Sequence, residues 1–152
     1  MSKRIMVVLV ALGLVVAGFA AGGLAKGGAK RVASLSGENE VPEADPDGSG
    51  KGTIRLKKGD GEVCFTVKWE NIGSPTKAHI HDGPAGQNGG IVVTLFDSAT
   101  ALPSTISEVR GCAEDVDEEL IEDIKKNPEE FYVNVHNEEF PNGAIRGQLQ
   151  EP

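Results

Sequence analysis

Reactive side chains are scarce in this chain: it has three histidines, two cysteines, two methionines, one tryptophan and one tyrosine in 152 residues. A lone cysteine at each of two distant positions lacks the paired spacing of thiolate-rich metal sites, so zinc ribbons are excluded. No serine or cysteine stands in a recognisable activating motif for nucleophilic catalysis. With so few aromatic residues, the core must be built from valine, isoleucine and leucine. No Asn-x-Ser/Thr triplet occurs, so N-glycosylation is not expected. Basic residues are outnumbered 15 to 23, a formal charge of -8. Such a surface repels nucleic acid and anionic lipid, which removes both as partners and by itself favours solubility.

Only one long hydrophobic run is present. Lys3 and Arg4 precede an apolar stretch from Ile5 to Ala25 that carries no charge until Lys26. This reads as a secretory signal peptide cut after Ala20 or Ala25, or as an uncleaved anchor, since roughly 20 apolar residues can span a bilayer. No cysteine lies near the end of the run, so a lipid anchor there is not expected. Either reading makes the remainder an exported, secreted or cell-envelope protein, touching membrane only through residues 1–25. Residues 26–34, KGGAKRVAS, read as a flexible linker, and 35–152 as one domain of about 120 residues, enough for a single core.

Twenty glycines and eight prolines imply many turns, and the segments between them alternate. Ile54 to Trp69 reads as a β-hairpin through Lys58-Gly59-Asp60-Gly61, with Val63, Phe65, Val67 and Trp69 on its core face. Further strands are expected at 76–81, 91–96, 106–109, 131–136 and 144–150. One helix is expected, opened by a capping box at Asp115 and Glu118, closed by Lys125 and Lys126 and stopped by Asn127-Pro128. An even cysteine count in an exported chain predicts a Cys64–Cys112 disulfide. Thiolate ligation by those cysteines is the alternative. Asp45-Pro46-Asp47-Gly48-Ser49-Gly50 has the alternating oxygens of a calcium loop, but Leu56 stands where the bidentate glutamate belongs, so it reads as a solvated turn. The carboxylates of 114–123 read as the solvated face of the helix.

All three histidines fall in two alternating segments, Ala78-His79-Ile80-His81-Asp82-Gly83 and Tyr132-Val133-Asn134-Val135-His136-Asn137. On a strand, residues two apart share a face, so His79 projects with His81 and Asn134 with His136. If the strands pair, three imidazoles converge, the protein part of many copper and zinc sites. Asn134, Asp82 and Arg146 are the polar groups placed to surround them, with Glu138 and Glu139 at a strand end. Arg146 opposes a cation unless a carboxylate neutralises it. The same residues can instead form a purely structural His/Asn/Arg cluster that pins a glycine-rich loop. Three histidines are too few for the dinuclear site of a copper/zinc superoxide dismutase.

The stretches Leu35 to Pro42 (LSGENEVP), Ala78 to Leu95 (AHIHDGPAGQNGGIVVTL), Gly111-Cys112 and Phe131 to Leu149 (FYVNVHNEEFPNGAIRGQL) together resemble the CHRD domain, a module of chordin and of many bacterial secreted proteins. The resemblance implies an all-β, immunoglobulin-like antiparallel sandwich or barrel, here with one short helix. Chordin's growth-factor binding does not carry over to a single acidic domain. The reading is an exported binding module for an extracellular or envelope ligand, with a three-histidine copper or zinc site. A mononuclear copper or zinc enzyme, and a structural or adhesive envelope domain, are the alternatives.

Overall fold

A computed structural model describes residues 27–152; the proposed signal or anchor at 1–25 lies outside them. Eight strands form one continuous sheet: β1 (Ala29–Ser36), β2 (Ser49–Lys57), β3 (Glu62–Glu70), β4 (Pro75–Asp82), β5 (Gly90–Asp97), β6 (Glu108–Ala113), β7 (Phe131–Asn137) and β8 (Ile145–Gln148). Their order is β5-β4-β7-β8-β1-β2-β3-β6, with antiparallel pairing throughout. The edges β5 and β6 curl back towards each other, so the sheet is a nearly closed barrel. The expected all-β fold with one helix is present. No helix among the described residues is long and apolar enough to cross a membrane.

The β2–β3 hairpin forms as its alternation requires. Its turn ends at Gly61, whose φ of 63° is cheap only for a residue without Cβ. Val63, Phe65, Val67 and Trp69 all point into the core, beside Ile54 and Leu56. Inward-facing Ala33, Leu35, Ala78, Ile80, Val93, Leu95, Val133, Val135 and Ile145 complete it. The one α-helix among the described residues, α1 (Glu118–Lys126), adds Ile121 and Ile124, both fully buried.

Several expectations need correction. The supposed linker at 26–34 is largely strand: β1 begins at Ala29 and pairs with β2 over its whole length. Arg31 faces inward on β1, and its guanidinium donates to the Lys125 carbonyl at the end of α1 and to the Lys30 carbonyl. The helix cap is Asp117, whose carboxylate accepts from the backbone N–H groups of Glu119 and Leu120. Asp115 lies outside the helix with φ of 55°. The strand expected at 106–109 is displaced to 108–113 because it pairs with β3 along Lys68 to Val63. Asp45 is part of a turn but is not solvated: it is buried, and its Oδ1 accepts from the Gly48 N–H at 3.1 Å.

Cys64 and Cys112 are direct cross-strand partners on β3 and β6 and form the disulfide, S–S 2.08 Å. Their sulfurs, grouped with Glu62, are therefore spent on each other, which removes the thiolate-ligand alternative. A disulfide fits an oxidising compartment.

Candidate metal centre

β4 and β7 are neighbours, and their register sets His79 opposite Asn134, His81 opposite Tyr132 and Lys77 opposite His136. Ala78, Ile80, Val133 and Val135 face the barrel core. The alternating positions His79, His81, Tyr132, Asn134 and His136 therefore share the outer face, joined by Arg146, which pairs with Asn134 from β8. An outer face is normally solvated. Here it is not: the three histidines are 4, 8 and 6 % exposed in chain order and Asn134 is 2 % exposed.

Three loops provide the cover. Asn39 and Glu40 reach Arg146 from the β1–β2 connection. Gln87, Asn88 and Gly89 come from the glycine-rich β4–β5 loop, where the Asn88 side chain donates to the Val41 carbonyl at 2.8 Å. The β7–β8 turn brings the Pro141 carbonyl to His136. β5 carries an extra residue opposite the Ala78–His79 step and another opposite Ile80–His81, irregularities typical of strands beside functional sites.

Hydrogen bonds fix the ring tautomers. His136 Nδ1 lies 3.0 Å from the Pro141 carbonyl and His81 Nδ1 3.0 Å from that of Gly89. A carbonyl only accepts, so both Nδ1 atoms carry the proton and both Nε2 atoms present lone pairs. His81 Nε2 is buried without a partner. His136 Nε2 then accepts from His79 Nδ1–H at 3.1 Å and lies 3.0 Å from the Asn134 amide, whose NH2 end is the one that suits it. One ligand atom from each histidine lies within 4.8 Å of the other two. Nitrogens bound at about 2.0 Å to a tetrahedral or trigonal ion are about 3.3–3.5 Å apart, so the cluster is close to the span an ion needs. Anchoring the far ring nitrogen on a carbonyl is also how metal-bound histidines are usually oriented.

Burial pushes the His79 pKa down to about 4, helped by the His136 and His81 rings and Lys77 and opposed by Asp97. Burial likewise lowers that of His136, against the Pro141 hydrogen bond that raises it. Neutral imidazoles are what a cation requires, and His81 Nε2 already presents a free lone pair.

Of the surrounding groups expected, Asn134 is in place, whereas Asp82, Glu138 and Glu139 are exposed on the surface and do not join the cluster. Arg146 is close but belongs to the cover. Its Nε donates to the Asn39 carbonyl at 2.7 Å and its Nη1 to that of Gln87 at 3.0 Å. Its guanidinium lies 4.6 Å over the Tyr132 ring, whose parallel stack with His81 has centroids 4.8 Å apart. Tyr132 thus stands between the guanidinium and His81, and Glu40, 3.4 Å from Arg146 Nε, offsets the charge in the fraction that is ionised. The intervening ring and the facing Glu40 weaken the objection raised by Arg146. Glu40 and Tyr132 were not singled out from sequence, although both lie in the stretches that carry the family resemblance.

Glu40 has a testable property of its own. Burial raises its pKa to about 7 against the opposing pull of Arg146, and its Oε1 has no hydrogen-bond partner. The folded domain therefore keeps a proton there that the unfolded chain, with a pKa near 4.5, has already released. Stability from this group is present below pH 4.5 and is lost as pH rises to about 7, by up to about 3 kcal/mol. Unfolding in urea at pH 5 and pH 8 checks this: wild type should lose more stability than Glu40→Gln over that interval, and equal losses would refute it.

A nearly closed antiparallel barrel with a covered trihistidine face defines an all-β module. The chain belongs to the CHRD domain family, whose model matches residues 31–149. That match begins at Arg31, inside β1. No curated protein and no solved structure matches the chain.

Proposed function

We propose that this is an exported binding module that holds one copper or zinc ion on His79, His81 and His136, with Asn134 positioning the His136 ring. The observation that carries the reading is the convergence of three buried imidazoles within 4.8 Å, one of which, His81, has an Nε2 with no partner. An unpaired buried acceptor costs about 1–3 kcal/mol, and a bound cation removes that cost. Export is supported by the basic-then-apolar start of the chain and by the disulfide. Burial of all three rings leaves little room for a substrate beside the ion, which favours holding over turnover and ranks a copper or zinc enzyme second.

Purified without a histidine tag and given one equivalent of copper or zinc, the domain should retain it one to one. His79→Ala, His81→Ala and His136→Ala should each weaken retention by at least about 100-fold, more than loss of a mere orienting partner does. Weak retention, unchanged in all three variants, would instead assign the cluster a structural role. In that case the variants should lose roughly 1–3 kcal/mol of stability in metal-free buffer with no response to added metal.

A further inference from the structure

Resting on the metal reading above, we infer that the site selects a singly charged ion, copper(I), over zinc(II) and copper(II). Among the described residues every group that can reach the ion is neutral: three imidazoles, two of them with tautomers fixed by carbonyls, and the Asn134 amide 3.0 Å from His136 Nε2. No carboxylate touches the cluster. Asp82, Glu138 and Glu139 point to solvent. Nearby, Lys77 sits opposite Asp97 across β4 and β5, and Arg146 lies against Glu40, which burial keeps partly protonated near neutral pH. The cavity thus offers no net negative charge to a bound ion.

The cost of removing an ion from water grows with the square of its charge, so at equal size a divalent ion is penalised about four times as heavily as a monovalent one. Structural zinc sites meet that cost with thiolates, and three-histidine zinc centres keep an open fourth position where water ionises to hydroxide. Here the three rings are buried beneath three loops, with Asn134, 2 % exposed, packed against His136. Neither source of negative charge is present. Sodium and potassium are excluded by the nitrogen donors, which suit copper and other transition ions. A filled-shell monovalent ion with no geometric demand can settle among three imidazoles with only small ring movements. The inference concerns which ion is held and involves no electron transfer.

The test is competition on the whole domain under anaerobic conditions. Copper(I) buffered by a chromophoric chelator, and silver(I) as its redox-inert counterpart, should each bind at one equivalent. A 100-fold excess of zinc(II) should displace neither. Asn134→Asp, which adds the missing charge, should raise zinc(II) affinity at least tenfold and narrow the gap. Displacement of copper(I) by equimolar zinc(II), or tighter binding of copper(II) than copper(I), would overturn the inference while leaving the metal site standing. Retention of no ion at all would remove the metal reading, and this inference with it.

Discussion

Replacing Cys64 and Cys112 together by serine is expected to cost the domain about 4 kcal/mol, the largest stability loss among the changes considered. The bridge joins residues 48 apart, and closing a loop of that length removes about this much denatured-state freedom in the chain-entropy model. The fold gives the bond a second task. β6 is an edge strand, paired with β3 on one side and facing the open seam towards β5 on the other. The polypeptide reaching it from β5 is the irregular segment 98–107. With stability of ordinary domains near 5–15 kcal/mol, a loss of this size leaves a marginal protein. The check is the urea midpoint of the serine pair against the oxidised wild type, with hydrogen exchange across 108–113. A shift below about 1 kcal/mol, or exchange in β6 no faster than in β2, would contradict the expectation.

How far this architecture was legible in the sequence depends on where each side chain's partner lies. β2, β3, β4 and β7 alternate cleanly, because their inward residues are aliphatic or aromatic and period two is then visible without tertiary information. β1 was not legible for a specific reason. Its inward positions are Arg31, Ala33 and Leu35, and an arginine on the inner face destroys the pattern. Arg31 is tolerated there only because the carbonyl of Lys125, 94 residues later, accepts its hydrogen bond. Asp45 reads as a solvated turn for the same reason: the segment that buries it is not adjacent in the chain. At the site, strand periodicity correctly put His79 with His81 and Asn134 with His136. It could not say that this face points away from the core and is then roofed. The roof is assembled from Asn39 and Glu40, Gln87 to Gly89, and Pro141, three pieces that meet only in the fold. That roof decides the chemistry, since it turns an outer face into a buried cluster of imidazoles and places Glu40 against Arg146.

The roof also supplies the sharpest single test of coupling between loop and site. A Cβ on Gly89 would lie 1.4 Å from the Asp82 carbonyl oxygen, a backbone atom that cannot swing aside, so Gly89→Ala must push the 83–89 loop off the sheet. Gly89 holds two of the contacts that order this face: its carbonyl receives His81 Nδ1–H at 3.0 Å, and its N–H donates to the Tyr132 hydroxyl at 3.2 Å. Losing the first frees the His81 ring to rotate and to change tautomer, which withdraws the unpartnered Nε2 from the cluster. The second loss loosens Tyr132, against which His81 is stacked. Removing an orienting partner of a metal-bound histidine costs 10–100-fold in affinity. Gly89→Ala should therefore bind copper at least tenfold more weakly than wild type while the barrel, whose core it does not touch, still unfolds cooperatively. Gly90→Ala is the matched control, because a Cβ there meets nothing within 4 Å, and its affinity should equal that of wild type. Equal copper affinity in Gly89→Ala and wild type would mean that the loop does not set the His81 ring, and that the carbonyl contact is incidental to metal binding.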